Sequence, residues 1–281
     1  MTDRPPETTD PEGTSPPVTA PERVWPVFAA WLLAFVAIVI FSAFAAALLA
    51  STYPDIPPAV LLRDLPGLLA GATASSLGLI LTLLLVNRSL QPARLRLVPG
   101  RETGRDLALM ILGMLALGQA LDSLTVLAGL GRHGALWDAR RTLAGAAGEQ
   151  LFLAVLVIGL LAGTAEELFF RGFMQTRLRA RWSPRWAVVA TSASFAIMHL
   201  EWLHGLLAFA LGLYLGFITE LTGSALPAVV SHVVNNMLFT LVTALGGTVL
   251  AFWPNVALVI IGMAVFGVCV LWLRGRLGVP A

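Results

Sequence analysis

Glu166, Glu167 and Arg171 close an apolar run from Leu151 to Ala165, and His199, His232 and Asn236 stand in later apolar segments. Carboxylates and imidazoles move protons to and from water, and histidine and asparagine side chains donate hydrogen bonds to a developing anion. The set therefore has the parts for hydrolysis by an activated water. A charge at the centre of a bilayer costs roughly 2.5 to 3.5 kcal/mol even on a lenient insertion scale. Two carboxylates in such a run need a partner or a purpose.

Helical spacing separates the two acids. Glu167 and Arg171 are four residues apart with the acid first, the favourable order for a pair on one face. Glu166 projects about 100° away around the helix, which leaves it free to face a cavity while Arg171 neutralises Glu167. The plainer alternative is a solvated helix end leading into an Arg-rich turn. Phe195 and His199 share a helix face, as do His232 and Asn236. Glu166 and His199 are 33 residues apart, with the turn signal Ser183-Pro184 near the midpoint. An antiparallel helical hairpin folded there puts them at equal depth, as neighbours.

The elements that must position these groups are membrane spans. Apolar residues make up 57% of the chain and charged residues 12%, about half the usual share. Uncharged runs at Val24 to Pro54, Leu65 to Asn87 and Leu221 to Leu273 are long enough to cross a hydrocarbon core of ~30 Å. The last holds two spans, with Gly246-Gly247 and Trp253-Pro254-Asn255 as the break. Leu107 to Leu130, Leu151 to Phe170, Trp186 to His199 and Gly205 to Thr219 complete an all-α, polytopic transmembrane helical bundle of about eight spans.

All 18 basic residues are arginine. Those from Arg88 to Arg105, from Arg177 to Arg185, and Arg274 with Arg276 fall on one side of an eight-span bundle. Only Arg63, Arg132, Arg140 and Arg141 fall on the other, so both termini are expected in the cytoplasm, with the plasma membrane as the preferred location. Residues 1–23 form a Pro-rich acidic tail that cannot bury an apolar face and is expected to be a disordered cytoplasmic segment, not a secretory signal. Residues 24–281 form the transmembrane domain. Its basic face suits anionic lipid headgroups and nothing suggests nucleic acid. Cys269 stands alone in the last span, which excludes disulfides and reads as a small buried hydrophobe.

Glu-Glu-x-x-x-Arg at Glu166, Glu167 and Arg171, Phe-x-x-x-His at Phe195 and His199, and His-x-x-x-Asn at His232 and Asn236 resemble the three motifs of the CPBP (Abi) family. That family includes the type II CAAX prenyl endopeptidases and bacteriocin-processing or immunity proteins. The resemblance covers about Gly163 to Asn236, within a protease-like core at about residues 149–247, and implies an intramembrane endopeptidase with its site in a cavity between helices. Beside it, the residues themselves divide the work. Glu166 and His199 hold and deprotonate a water, His232 and Asn236 stabilise the oxyanion, and Glu167 with Arg171 braces the site or binds substrate.

A metal-dependent version uses the same groups differently. Glu166, His199 and His232 make a two-His, one-carboxylate set suited to zinc or another divalent metal, with Glu167 as base. The spacing of His199, Glu201 and His204 does not place an H-E-x-x-H pair on one face, and the sequence leaves the metal question open. Asp122, a turn after Gln119, reads first as an interhelical hydrogen-bonding residue and second as one that faces the cavity. Glu201, His204 and Glu220 read as headgroup-solvated span ends, and Gly172 as a close-packing position. The expected substrate is a membrane-associated or lipid-modified protein or peptide, although no sequence feature reads a CAAX terminus. A catalytically idle scaffold or immunity protein is the alternative from another class. A transporter is the weaker one, since no internal repeat is visible.

Overall fold

The computed structural model describes residues 23–87, 91–247 and 251–278. Arg23 excepted, the acidic tail lies outside the described residues, and so does Arg88. Among the described residues the secondary structure is helical throughout: α1 Trp25–Thr52, α2 Leu65–Val86, α3 Gly104–Leu127, α4 Gly134–Leu143, α5 Gly148–Arg179, α6 Pro184–Ile197, α7 Trp202–Thr222, α8 Leu226–Ala244 and α9 Phe252–Leu277. A helical turn at Pro58–Leu61 and a 3₁₀ turn at Pro92–Leu95 lie in the connections. A bilayer forces this outcome, because only a helix satisfies its backbone within its own segment.

Seven of these helices, all but α4 and α6, are long and apolar enough to cross a membrane. This is an all-α, multi-pass integral membrane protein. The eighth expected segment is α6, whose 14 residues span only about 21 Å at helical rise. It therefore stops short of a ~30 Å core.

Local chemistry sets the boundaries. Prolines occupy the first turns of α1, α2, α6 and α8, where the missing N–H has no intrahelical partner to lose. Thr103 and Asp106 close a capping box on α3, and Glu201 accepts from the backbone N–H groups of Leu203 and His204 at the start of α7. Gly223, left-handed at φ 78°, ends α7. Trp253 and Pro254 lie in the first turn of α9 rather than in the break before it. α8 stops instead at Ala244, and left-handed Gly246 follows. Trp25, Trp186, Trp202 and Trp253 are exposed in the opening turns of their helices, as residues at a lipid–water interface would be.

The helices pack in pairs: α1 on α2, α3 on α9, α6 on α7 and α8 along α5. In lipid this association rests on close packing and small residues, since lipid tails are as apolar as leucine. Gly163 lets α5 approach the backbone of α8, where a Cβ would meet Val233 Cα at 3.3 Å. Gly172 faces the backbone of Leu95 at 3.1 Å in the same sense. One apolar cluster joins Phe169, Phe170, Phe173 and Phe195 to α1 and α2. Another joins Met110, Met114, Tyr214 and Leu215 to α9. Cys269 is buried.

Candidate active site

α5 is not uniform. The α-helical turn Gly163–Glu167 is flanked by wider, π-helical stretches at Val155–Ala162 and Leu168–Gln175. Such stretches recur at functional sites because they break the regular i→i−4 ladder and re-aim side chains. Here they bracket the two acids.

The acids have unlike surroundings. Glu167 is fully buried and its Oε1 accepts from Arg171 Nη1 and from His232 Nδ1, both at 2.7 Å. Arg171, also fully buried, donates from Nη2 to the Gly212 carbonyl at 3.1 Å and lies 5.1 Å over the Phe195 ring. Glu167 thus joins α5 to α8, and Arg171 joins α5 to α7. Glu166 retains 21% side-chain exposure and points into a cavity of about 820 Å³, whose lining includes His199, His232, Asn236 and His204. Glu166 Oε2 lies 3.6 Å from His232 Nε2.

Both ends of the predicted hairpin therefore reach one cavity. The structure adds a partner that the spacing did not indicate, because the histidine nitrogen opposite Glu166 is that of His232. His199 follows the end of α6 in a tight turn. Its Nδ1–H donates to the Phe195 carbonyl at 3.0 Å, and a carbonyl can only accept, so the neutral ring keeps an acceptor at Nε2. Leu200, next in the chain, holds a left-handed φ of 57°. A leucine there stores on the order of 1 kcal/mol of strain, and nothing in the sequence signals it. The His204 ring meets His199 edge-on at 4.3 Å between centroids, so this residue lines the cavity instead of facing headgroups. Asn236 donates to the Ile158 carbonyl at 3.4 Å and keeps a second amide hydrogen.

Glu220 also departs from its sequence reading. It is buried, and its carboxylate receives Arg96 Nη1 and Arg179 Nε at 2.7 Å and Gln175 Nε2 at 2.9 Å. Asp122 pairs with Arg140 from α4, and both line the cavity. The sequence counted Arg140 only as a loop charge; no spacing rule links it to Asp122.

Residues 148–238 match the family model described as type II CAAX prenyl endopeptidase Rce1-like. This segment is similar to that family. The chain matches no curated protein and no solved structure. The Rce1-like segment covers about a third of the chain and runs from the start of α5 into α8, so it contains Glu166, Glu167, Arg171, His199, His232 and Asn236. Asp122 and Arg140 lie before it. Among the described residues, no group of three His, Cys, Asp or Glu side chains is arranged to hold a metal ion. His232 Nδ1 is held by Glu167 and His199 Nδ1 by the Phe195 carbonyl, which leaves Nε2 as the open nitrogen of each ring. Glu166, His199 and His232 share the cavity without forming such a group, and no step below is routed through a metal.

Proposed function

We propose that the chain is an intramembrane endopeptidase that hydrolyses a peptide bond of a membrane-associated or lipid-modified protein or peptide. The observation that carries this reading is the split between the acids: Glu167 is held by Arg171 and His232, while Glu166 opens onto a cavity shared with His199, His232 and Asn236. Likeness of this segment to an endopeptidase family supports it.

In this mechanism a water sits between Glu166 and His199 Nε2 and loses a proton as it attacks the scissile carbonyl. The bond to the leaving nitrogen breaks after the tetrahedral intermediate forms, and the proton taken from water is returned to that nitrogen. Asn236 donates its second amide hydrogen to the oxyanion. His232, oriented through Nδ1 by Glu167, presents Nε2 to the cavity and donates from it when protonated. Glu167 and Arg171 act as positioning residues through His232 and Gly212. No covalent intermediate forms. We place both termini on the cytoplasmic side of the plasma membrane, with α6 as the short eighth crossing.

The test is cleavage of a peptide library, lipidated and unlipidated, by the purified chain in liposomes. Glu166→Ala and His199→Ala should each lower turnover by about two to four orders of magnitude, the range expected for loss of acid–base catalysis. Turnover should persist in a chelator. Unchanged cleavage in both variants overturns the site, and loss on chelation with recovery on zinc brings back the metal-dependent version.

A further inference from the structure

Asn236 enters the mechanism as a donor, and an amide can fill that role in only one of its two orientations. Its oxygen and nitrogen have nearly the same shape, so a half-turn of the side chain puts a carbonyl where the oxyanion needs an N–H. An oxygen there repels the charge it should stabilise. The surroundings of Asn236 decide between the two. The Ile158 carbonyl can only accept, so the Asn236 atom 3.4 Å from it is Nδ2. Oδ1 is then turned to Asn235, whose Nδ2 donates to it at 3.3 Å. Donors and acceptors are thus ordered from the backbone outward. Flipping Asn236 would set oxygen against oxygen at Ile158 and N–H against N–H at Asn235.

Neighbouring residues on a helix project about 100° apart, and their side chains do not ordinarily face each other. The contact between Asn235 and Asn236 is therefore imposed by what surrounds Asn235. α3 leaves it a seat: Gly118 faces Asn235 Oδ1, and a Cβ on that glycine would lie 2.8 Å from the oxygen. Both asparagines are half-buried and line the cavity onto which Glu166 opens. Neither contact of Asn236 is short, so the orientation depends on the two acting in the same sense. We propose that Asn235, seated against Gly118, is a positioning residue that holds Oδ1 of Asn236 and keeps the Asn236 amide hydrogens turned to Ile158 and to the forming oxyanion. This rests on the protease reading and deepens it. Asn235 belongs to none of the three sequence motifs, and its seat on α3 lies outside the segment matched to the protease family.

The experiment reads orientation and turnover separately. The chain has four asparagines, Asn87, Asn235, Asn236 and Asn255, so selective nitrogen-15 labelling of asparagine in the full chain gives four side-chain amide pairs, assigned by single substitutions in detergent. Nδ2 of Asn236 leaves Ile158 whenever the amide turns, so in Asn235→Ala and in Gly118→Ala its hydrogens should exchange with water about tenfold faster than in the wild type. Gly118→Ala removes no polar group, and thermal unfolding checks that each variant folds. On peptides that the wild type cuts, Asn235→Ala should lower kcat about tenfold with KM unchanged, since an oxyanion donor acts in the transition state and its full loss costs about 100- to 1000-fold. Asn236→Ala removes the donor itself, and on that background Asn235→Ala should cost no more than about twofold further. Unchanged exchange at Asn236 in both variants overturns the inference. So does a kcat loss in Asn235→Ala that persists in full on the Asn236→Ala background, because Asn235 then acts on packing or on substrate directly. Faster exchange in a chain that cuts no peptide upholds the positioning and fails the protease reading. Cleavage that needs Glu166 but is indifferent to Asn235→Ala keeps the protease reading and overturns the inference.

Discussion

Two buried carboxylates are fed by polar side chains one turn apart on α5, and they end differently. At one end Arg171 reaches Glu167 and the Gly212 carbonyl. At the other, Gln175 reaches the Gly216 carbonyl and Glu220. The two rungs are parallel, each tying α5 to α7 at positions four residues apart. Around Glu220 both oxygens are occupied, by Arg96, Arg179 and Gln175, and that acid is not part of the large cavity's lining. Around Glu167 the network passes on through His232 to Glu166, which faces that cavity. A saturated acid holds helices together. A network with one open edge can do chemistry.

The largest effect should come from closing that open edge. Glu166→Gln keeps the shape and removes the base, so turnover should fall by about a thousandfold. The melting temperature in detergent should move little, because the Glu166 contact with His232 is long, at 3.6 Å, and the side chain keeps 21% exposure. A large fall in melting temperature with proportionate loss of activity would make Glu166 another structural acid and erase the contrast with Glu167.

Breaking the closed part of the same network should reverse that balance. Arg171→Ala leaves Glu167 buried with His232 alone and frees the Gly212 carbonyl. Removing one partner of a fully buried ion pair costs about 3 to 5 kcal/mol, so denaturant or thermal unfolding should show a large loss of stability. The remaining folded fraction should cleave poorly as well, because His232 loses part of what orients it. An Arg171→Ala protein as stable as wild type would mean that the pair contributes nothing net to the bundle.

What could be read from the sequence follows from how local each feature is. The spans were legible because their apolar runs are continuous, and the Glu167–Arg171 contact because four residues bring two side chains onto one face. The hairpin from Glu166 to His199 was legible because Ser183-Pro184 marks its turn. Contacts set by the packing of distant helices were not. His232 opposite Glu166, Arg140 against Asp122 and the two arginines on Glu220 join residues 18 or more positions apart with no periodicity between them. The π-helical stretches of α5 and the left-handed Leu200 are likewise imposed by context, since Val, Leu and Phe carry no intrinsic signal for either.

The smallest effect should come from the saturated end. Glu220→Gln keeps the volume and one acceptor while removing the charge that two arginines share. Both arginines are about a quarter exposed or less, at 21% for Arg96 and 25% for Arg179, so water recovers part of what each loses. The cost should be roughly 1 to 2 kcal/mol, in the range of one or two hydrogen bonds to charged groups, and it should shrink as salt screens the pairs. Turnover per folded molecule should stay within about threefold of wild type, because Gln175 still meets Gly216 and the rung one turn away is untouched. A Glu220→Gln protein that folds normally but loses activity as Glu166→Gln does would show that the two rungs act as one unit. The division between a structural acid and a chemical one would then lie at neither carboxylate but in the tilt of α5 against α7.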